Sequence, residues 1–129
     1  MTESEPEPLP RVLCDLAALA ADADASASGA LWRLAESGRQ LDANLVRLPP
    51  DQRVAAHAEP DLDVLLLVVA GGGTLYGGTE GAARQLTGGT LLWLPHGSTR
   101  ELAAGPDGLA YLTVHRRRPG MRIRPTPPG

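Results

Sequence analysis

The chain has 129 residues, enough for one domain with a real buried core. Hydrophobic residues make up 43 %, which excludes a disordered polymer, and the net charge of −3 excludes a strongly basic nucleic-acid binder. One cysteine, Cys14, excludes an internal disulfide and a zinc ribbon, and the short apolar runs exclude a membrane-spanning helix.

The charge is unevenly spread. Residues 1–28 hold six acids and one base, Arg11; residues 115–129 hold five arginines and no acid. All 12 basic residues are Arg and there is no Phe, which we read as the codon bias of a GC-rich genome. The acidic start has neither a basic opening nor a long apolar core, so no signal peptide is expected and the cytoplasm is the expected compartment.

Along the chain, "MTESEPEP" is polar and Pro-broken and is expected to be disordered. Leu9, Val12, Leu13, Leu16 and Leu19 then recur at helical spacing, with Pro10 suited to a first turn; this predicts a helix over Pro10–Ala21 that docks on the rest of the fold. Residues 1–28 form the acidic start and helix, 29–116 the main domain and 117–129 a basic Pro-rich tail.

From Gly29 the texture changes to short apolar or alternating segments separated by Gly, Pro and Asp turns, the pattern of an all-β sandwich or barrel. The predicted strands are Ala30–Ala35, Leu41–Leu48, Arg53–Ala58, Val64–Ala70, Gly73–Tyr76, Ala83–Leu86, Thr90–Leu94, Thr99–Ala103 and Ala110–Arg116. Turns are expected at "ESGR", "PPDQ", "GGTEG", "TGG", "PHGS" and "AGPDG". Val64–Val69 is apolar at every position, so the strand is expected to be covered on both faces. The second cover would be another sheet, the N-terminal helix or a partner chain, and a homodimer is the expected assembly.

Two stretches carry a resemblance. Gly89, five residues, then Pro95-His96-Gly97 match the second short motif of the cupins, and His57 with Gly71 matches part of the first. The chain thus resembles a small single-domain cupin with a degenerate metal motif. That implies a double-stranded β-helix, or jelly-roll barrel, with the short N-terminal α-helix added.

The resemblance also implies where a metal would sit and shows what has replaced its ligands. His57 keeps the first His position. Glu59 stands at the second His, Arg100 at the third and Val64 at the Glu; a shorter spacing puts Asp63 there instead, with the closing Gly one residue off. Asp51 stands at the first Gly and Ala104 at the Asn. A guanidinium stays protonated and cannot ligate a metal. His57 and Glu59 alone are too few ligands for zinc or iron, with Asp63 and His115 able to help only if the backbone delivers them. No metal or cofactor is therefore expected.

If the motif residues keep their inward direction, His57, Glu59 and Arg100 converge in the lumen. Arg100 would clamp a carboxylate, phosphate or enolate oxygen, and His57 would move protons. The function expected is metal-independent binding of a small oxygenated or anionic molecule. The alternatives are a metal-free isomerase, epimerase or cyclase using His57 and Arg100, and a residual metal-dependent enzyme such as a dioxygenase. Against all three stands a purely structural arrangement, with Glu59 and Arg100 neutralising each other and His57 bonded to backbone.

Further candidates for the pocket are Asn44, Trp93, Tyr111 and His115. Asn44 is either a lumen hydrogen-bonding group or an edge residue bonded to backbone. Trp93 and Trp32 read as core before ligand platform. Tyr111, Thr113 and His115 alternate, so they line either the lumen or the outer surface together. His96 is expected at an exposed turn tip. No lysine follows the Gly-rich "AGGGTLYGG", which excludes a phosphate loop, and Ser98 and Thr99 have no base at a triad spacing.

Overall fold

The structure, a computed structural model, describes residues 8–77 and 82–118. Among them are one helix, α1 (Leu16–Asp22), and seven strands: β1 (Gly29–Arg33), β2 (Leu41–Leu48), β3 (Arg53–Ala58), β4 (Val64–Gly77), β5 (Ala83–Thr87), β6 (Leu91–Leu94) and β7 (Thr99–Arg116). The predicted polar start, most of the basic tail and much of the "GGTEG" turn lie outside the described residues. No helix of the described residues is long and apolar enough to cross a membrane.

All pairing is antiparallel. The first half of β4 lies between β6 and the second half of β7, and β2 and then β1 extend that side. The second half of β4 lies between β5 and the first half of β7, which in turn pairs with β3. Two long strands thus belong to both halves of one sheet wrapped around a common core. Leu48, Leu66, Val68, Leu86, Leu94, Leu102, Leu109 and Tyr111 fill that core from both halves. Each fully buried Leu or Val contributes about 1.5–3 kcal/mol of transfer free energy.

The bend between the halves corrects the strand list above. Gly71 and Gly72 separate two predicted strands and "AGPDG" is an expected turn, but β4 and β7 run straight through them. These glycines let two bent strands approach. A Cβ on Gly71, at φ +72°, would sit 2.1 Å from the Gly108 carbonyl oxygen, and one on Gly73 would sit 2.1 Å from that of Ala103. Asp51 holds φ 64°, so the place of the first motif glycine still has left-handed backbone; Asp tolerates it better than most residues.

The helix is shorter than its apolar stripe. It starts at Leu16 because the Asp15 carboxylate accepts a hydrogen bond from Ala18 N at 3.1 Å, capping the first turn. Upstream residues run as an irregular strap, with Val12, Leu13 and Cys14 beside Trp32, Leu41 and Val114 of the outer sheet face. Ala20 packs where Ala70 and Ala110, cross-strand partners, present small side chains. Buried Arg47 ties the connector down by donating to the carbonyls of Ala25 and Ala27 at 2.8 and 2.9 Å.

Candidate functional site

One end of the lumen is built by the two motif loops and the tip of β7. A bulge between Val54 and His57 shifts the β3 register, so that His57 sits opposite Arg100. The Glu59 carbonyl accepts a hydrogen bond from Gly97 N at 2.7 Å, which locks the "PHGS" turn onto the loop after β3. The result is a cavity of about 300 Å³ lined by His57, Glu59, Val64, Arg100, Thr113 and His115, with Arg118 at its rim and Leu62 in its floor. The motif positions His57, Glu59, Val64 and Arg100 all face this one space.

The internal pairing differs from expectation. Glu59 forms an ion pair with Arg118, and its Oε2 accepts from Asp61 N at 2.9 Å. Arg100 is only 7 % exposed and has no carboxylate partner among the described residues. Its side chain makes one hydrogen bond to the described residues, Nη1 to the Ser98 carbonyl at 3.4 Å. Every sealed-off side-chain nitrogen and oxygen of the described residues has a partner, so the free N–H groups of Arg100 open on the cavity. Desolvation lowers the Arg100 pKa, but the group stays a cation at neutral pH.

Both cavity histidines are oriented by backbone. His57 Nδ1 lies 3.0 Å from the Ala55 carbonyl and His115 Nδ1 2.7 Å from that of Arg116. A carbonyl oxygen only accepts, so each Nδ1 carries the proton and each neutral ring keeps its lone pair on Nε2.

The other sequence candidates are dispersed. Tyr111 points inward as part of the core, 7 % exposed and outside the cavity lining, and burial raises its pKa. Asn44 faces the lumen one strand over, opposite Thr113. Trp93 is neither core nor ligand platform. It is opposite Leu65 on the outer sheet face and 60 % exposed, because the inward positions of β6 are Leu92 and Leu94. Asp63 is held in the loop, its Oδ1 accepting from His96 N at 2.9 Å and lying 2.7 Å from His96 Nδ1. Sequence reasoning missed the part of Arg118, which reads as a solvated tail residue, and passed over Thr113, which the alternation with His115 had placed on the same face.

The donor set does not fit the divalent cation of metal-binding cupins. Arg100 puts a fixed positive charge at one ligand position and Val64 an alkyl group at another. Glu59 is engaged by Arg118, and no three His, Cys, Asp or Glu side chains of the described residues converge.

A double-stranded β-helix with both motifs facing one lumen defines a small cupin domain, and comparison with solved structures shows that the chain has this fold. A Bacillus halodurans protein superposes with a TM-score of 0.66 at 18 % identity over 88 % of this chain and 86 % of that one. KdgF from Halomonas sp. gives 0.57 at 25 % identity over 67 % and 79 %. A sugar phosphate isomerase of the cupin superfamily from Silicibacter pomeroyi gives 0.55 at 22 % identity over 63 % of this chain and 53 % of that one. No protein-family model and no curated protein matches the sequence.

Proposed function

We propose that the chain binds a small anionic, oxygenated molecule in the lumen without a resident metal. The observation that carries this is Arg100: a buried guanidinium with no carboxylate partner among the described residues and its free N–H groups on a cavity. A guanidinium without a counter-ion and with free N–H groups on a cavity is matched by an anion, which it can hold with two parallel hydrogen bonds. The Nε2 atoms of His57 and His115 supply acceptors for ligand hydroxyls. The test is calorimetry with small carboxylates on chelator-treated protein. Binding that Arg100→Gln weakens a hundredfold supports the reading; a metal found at one per chain in protein purified without chelator overturns it.

A second reading is a metal-free isomerase, favoured by His57, whose Nδ1 contact with a carbonyl leaves Nε2 as the acceptor of the neutral ring, and by the likeness to a sugar phosphate isomerase. His57 would take a proton from a carbon beside a carbonyl while Arg100 holds the developing oxyanion. His57→Ala retaining turnover of a substrate would rule this out.

A second copy of the chain is the proposed cover for the outer sheet face. Leu65, Leu91 and Trp93 are 41, 62 and 60 % exposed, and Leu41, Val12 and Leu13 continue the patch at 52, 90 and 49 %. These six side chains leave apolar surface on the order of 600 Å², most of the roughly 800 Å² that each partner of a stable pair contributes. A two-fold axis lets one patch cover its own copy.

A further inference from the structure

A second cavity, of about 510 Å³, lies on the same lumen face, lined by Arg33, Arg39, Asp42, Asn44, Val46 and His115 among others. His115 lines both cavities. The register explains why. Arg33 is opposite Asn44, Asn44 is opposite Thr113, and Thr113 lines the Arg100 cavity. Asp42 is likewise opposite His115. Directly opposed residues share a face, so a row of polar side chains crosses β1, β2 and β7 at the ~4.8 Å strand spacing.

The chemistry of the row is mixed. Asp42 is fixed by Arg39 Nε at 2.9 Å, and Arg39 Nη1 also donates to the Glu36 carbonyl at 3.0 Å. The side chains of Asn44 and Arg33 make no hydrogen bond to other described residues. The second cavity thus offers a free amide, a guanidinium and a carboxylate: donors and acceptors together, without an aromatic wall. Hydroxyl groups, which donate and accept at once, match such a set.

We infer that the two cavities are subsites of one groove and that the ligand is a polyhydroxy acid. Its anionic end sits on Arg100. Its hydroxylated chain passes His115 and ends on Asn44 and Arg33. This rests on the anion reading of Arg100, and the two are separable. Gluconate and hexanoate have the same chain length and the same carboxylate, but only gluconate carries hydroxyls.

Calorimetry of both acids with the wild-type chain and with Asn44→Ala, Arg33→Ala and Arg100→Gln is the experiment. Wild type is expected to bind gluconate at least tenfold tighter than hexanoate. Asn44→Ala and Arg33→Ala should each weaken gluconate about tenfold and leave hexanoate unchanged, whereas Arg100→Gln weakens both. Equal wild-type affinities, or gluconate binding untouched by both Asn44→Ala and Arg33→Ala, overturn the second subsite while an intact Arg100 effect preserves the anion site. Binding of neither acid, or binding indifferent to Arg100→Gln, overturns both. If Asn44→Ala lowers the unfolding temperature, Arg33→Ala, at an exposed position, decides alone.

Discussion

Along β4, Leu66 and Val68 point into the lumen at 1 % exposure, while Leu65, between Val64 and Leu66, stands 41 % exposed on the other side. The inward face meets a closed core; the outward face meets the N-terminal strap over β1 and β2 and α1 at Ala70, while Leu65 and Trp93 stand exposed among the described residues. An unbroken apolar run therefore does not report burial on both faces within one chain. It reports an inner half that fills the core and an outer half of exposed apolar side chains, the face for which a second copy is proposed.

The sharpest break of this comparison is a matched pair on neighbouring residues. Leu66→Asp buries an unpaired carboxylate in the core and is expected to abolish folding, whereas Leu65→Asp is expected to fold as a monomer; circular dichroism and light scattering read both. Next, Leu66→Ala should cost about 2–5 kcal/mol in urea unfolding and Leu65→Ala under about 1 kcal/mol at low protein concentration. Equal costs would remove the distinction between the faces.

Trp93→Ser comes third. It should leave the unfolding midpoint of dilute protein nearly unchanged and shift sedimentation from dimer to monomer at tens of micromolar. A wild-type chain that sediments as a monomer under those conditions would remove the second copy from the outer face.

The smallest effect is at the loop joining the two motifs. His96, by its backbone N–H and its ring, holds the Asp63 carboxyl below the ordinary value of 3.8. A depressed folded value means stabilisation that is present above the ordinary carboxylate range and lost as pH falls through the folded value. Asp63→Asn should therefore lower the urea midpoint slightly at pH 6 and converge with wild type near about pH 3.

Much of the fold was legible because alternation and turn chemistry are local. β2 and β3 fall on the predicted Leu41–Leu48 and Arg53–Ala58. The errors fall where a long-range contact gives a residue its meaning. Gly71 and Gly108 look like turn formers, and only the facing strand shows that they remove a clash. The apolar stripe of residues 9–13 looks helical, and only the sheet face beside it shows a strap. In the site, motif spacing located His57, Glu59 and Arg100, since spacing along a barrel strand sets direction. It did not locate their pairing, because the Arg118 that takes Glu59 comes from the far end of the described chain.

β7 has one more consequence, for the order in which the molecule assembles. It pairs with β2, β3 and β4 alike, and its tip places Arg116 opposite Leu41. During synthesis β2 and β3 gain this central neighbour only once β7 has left the ribosome. Their apolar faces must wait while β4, β5 and β6 are made, and closing such distant pairs makes folding slow. The last strand thus works as a keystone, and a chain cut short before Thr99 would have neither lumen nor Arg100.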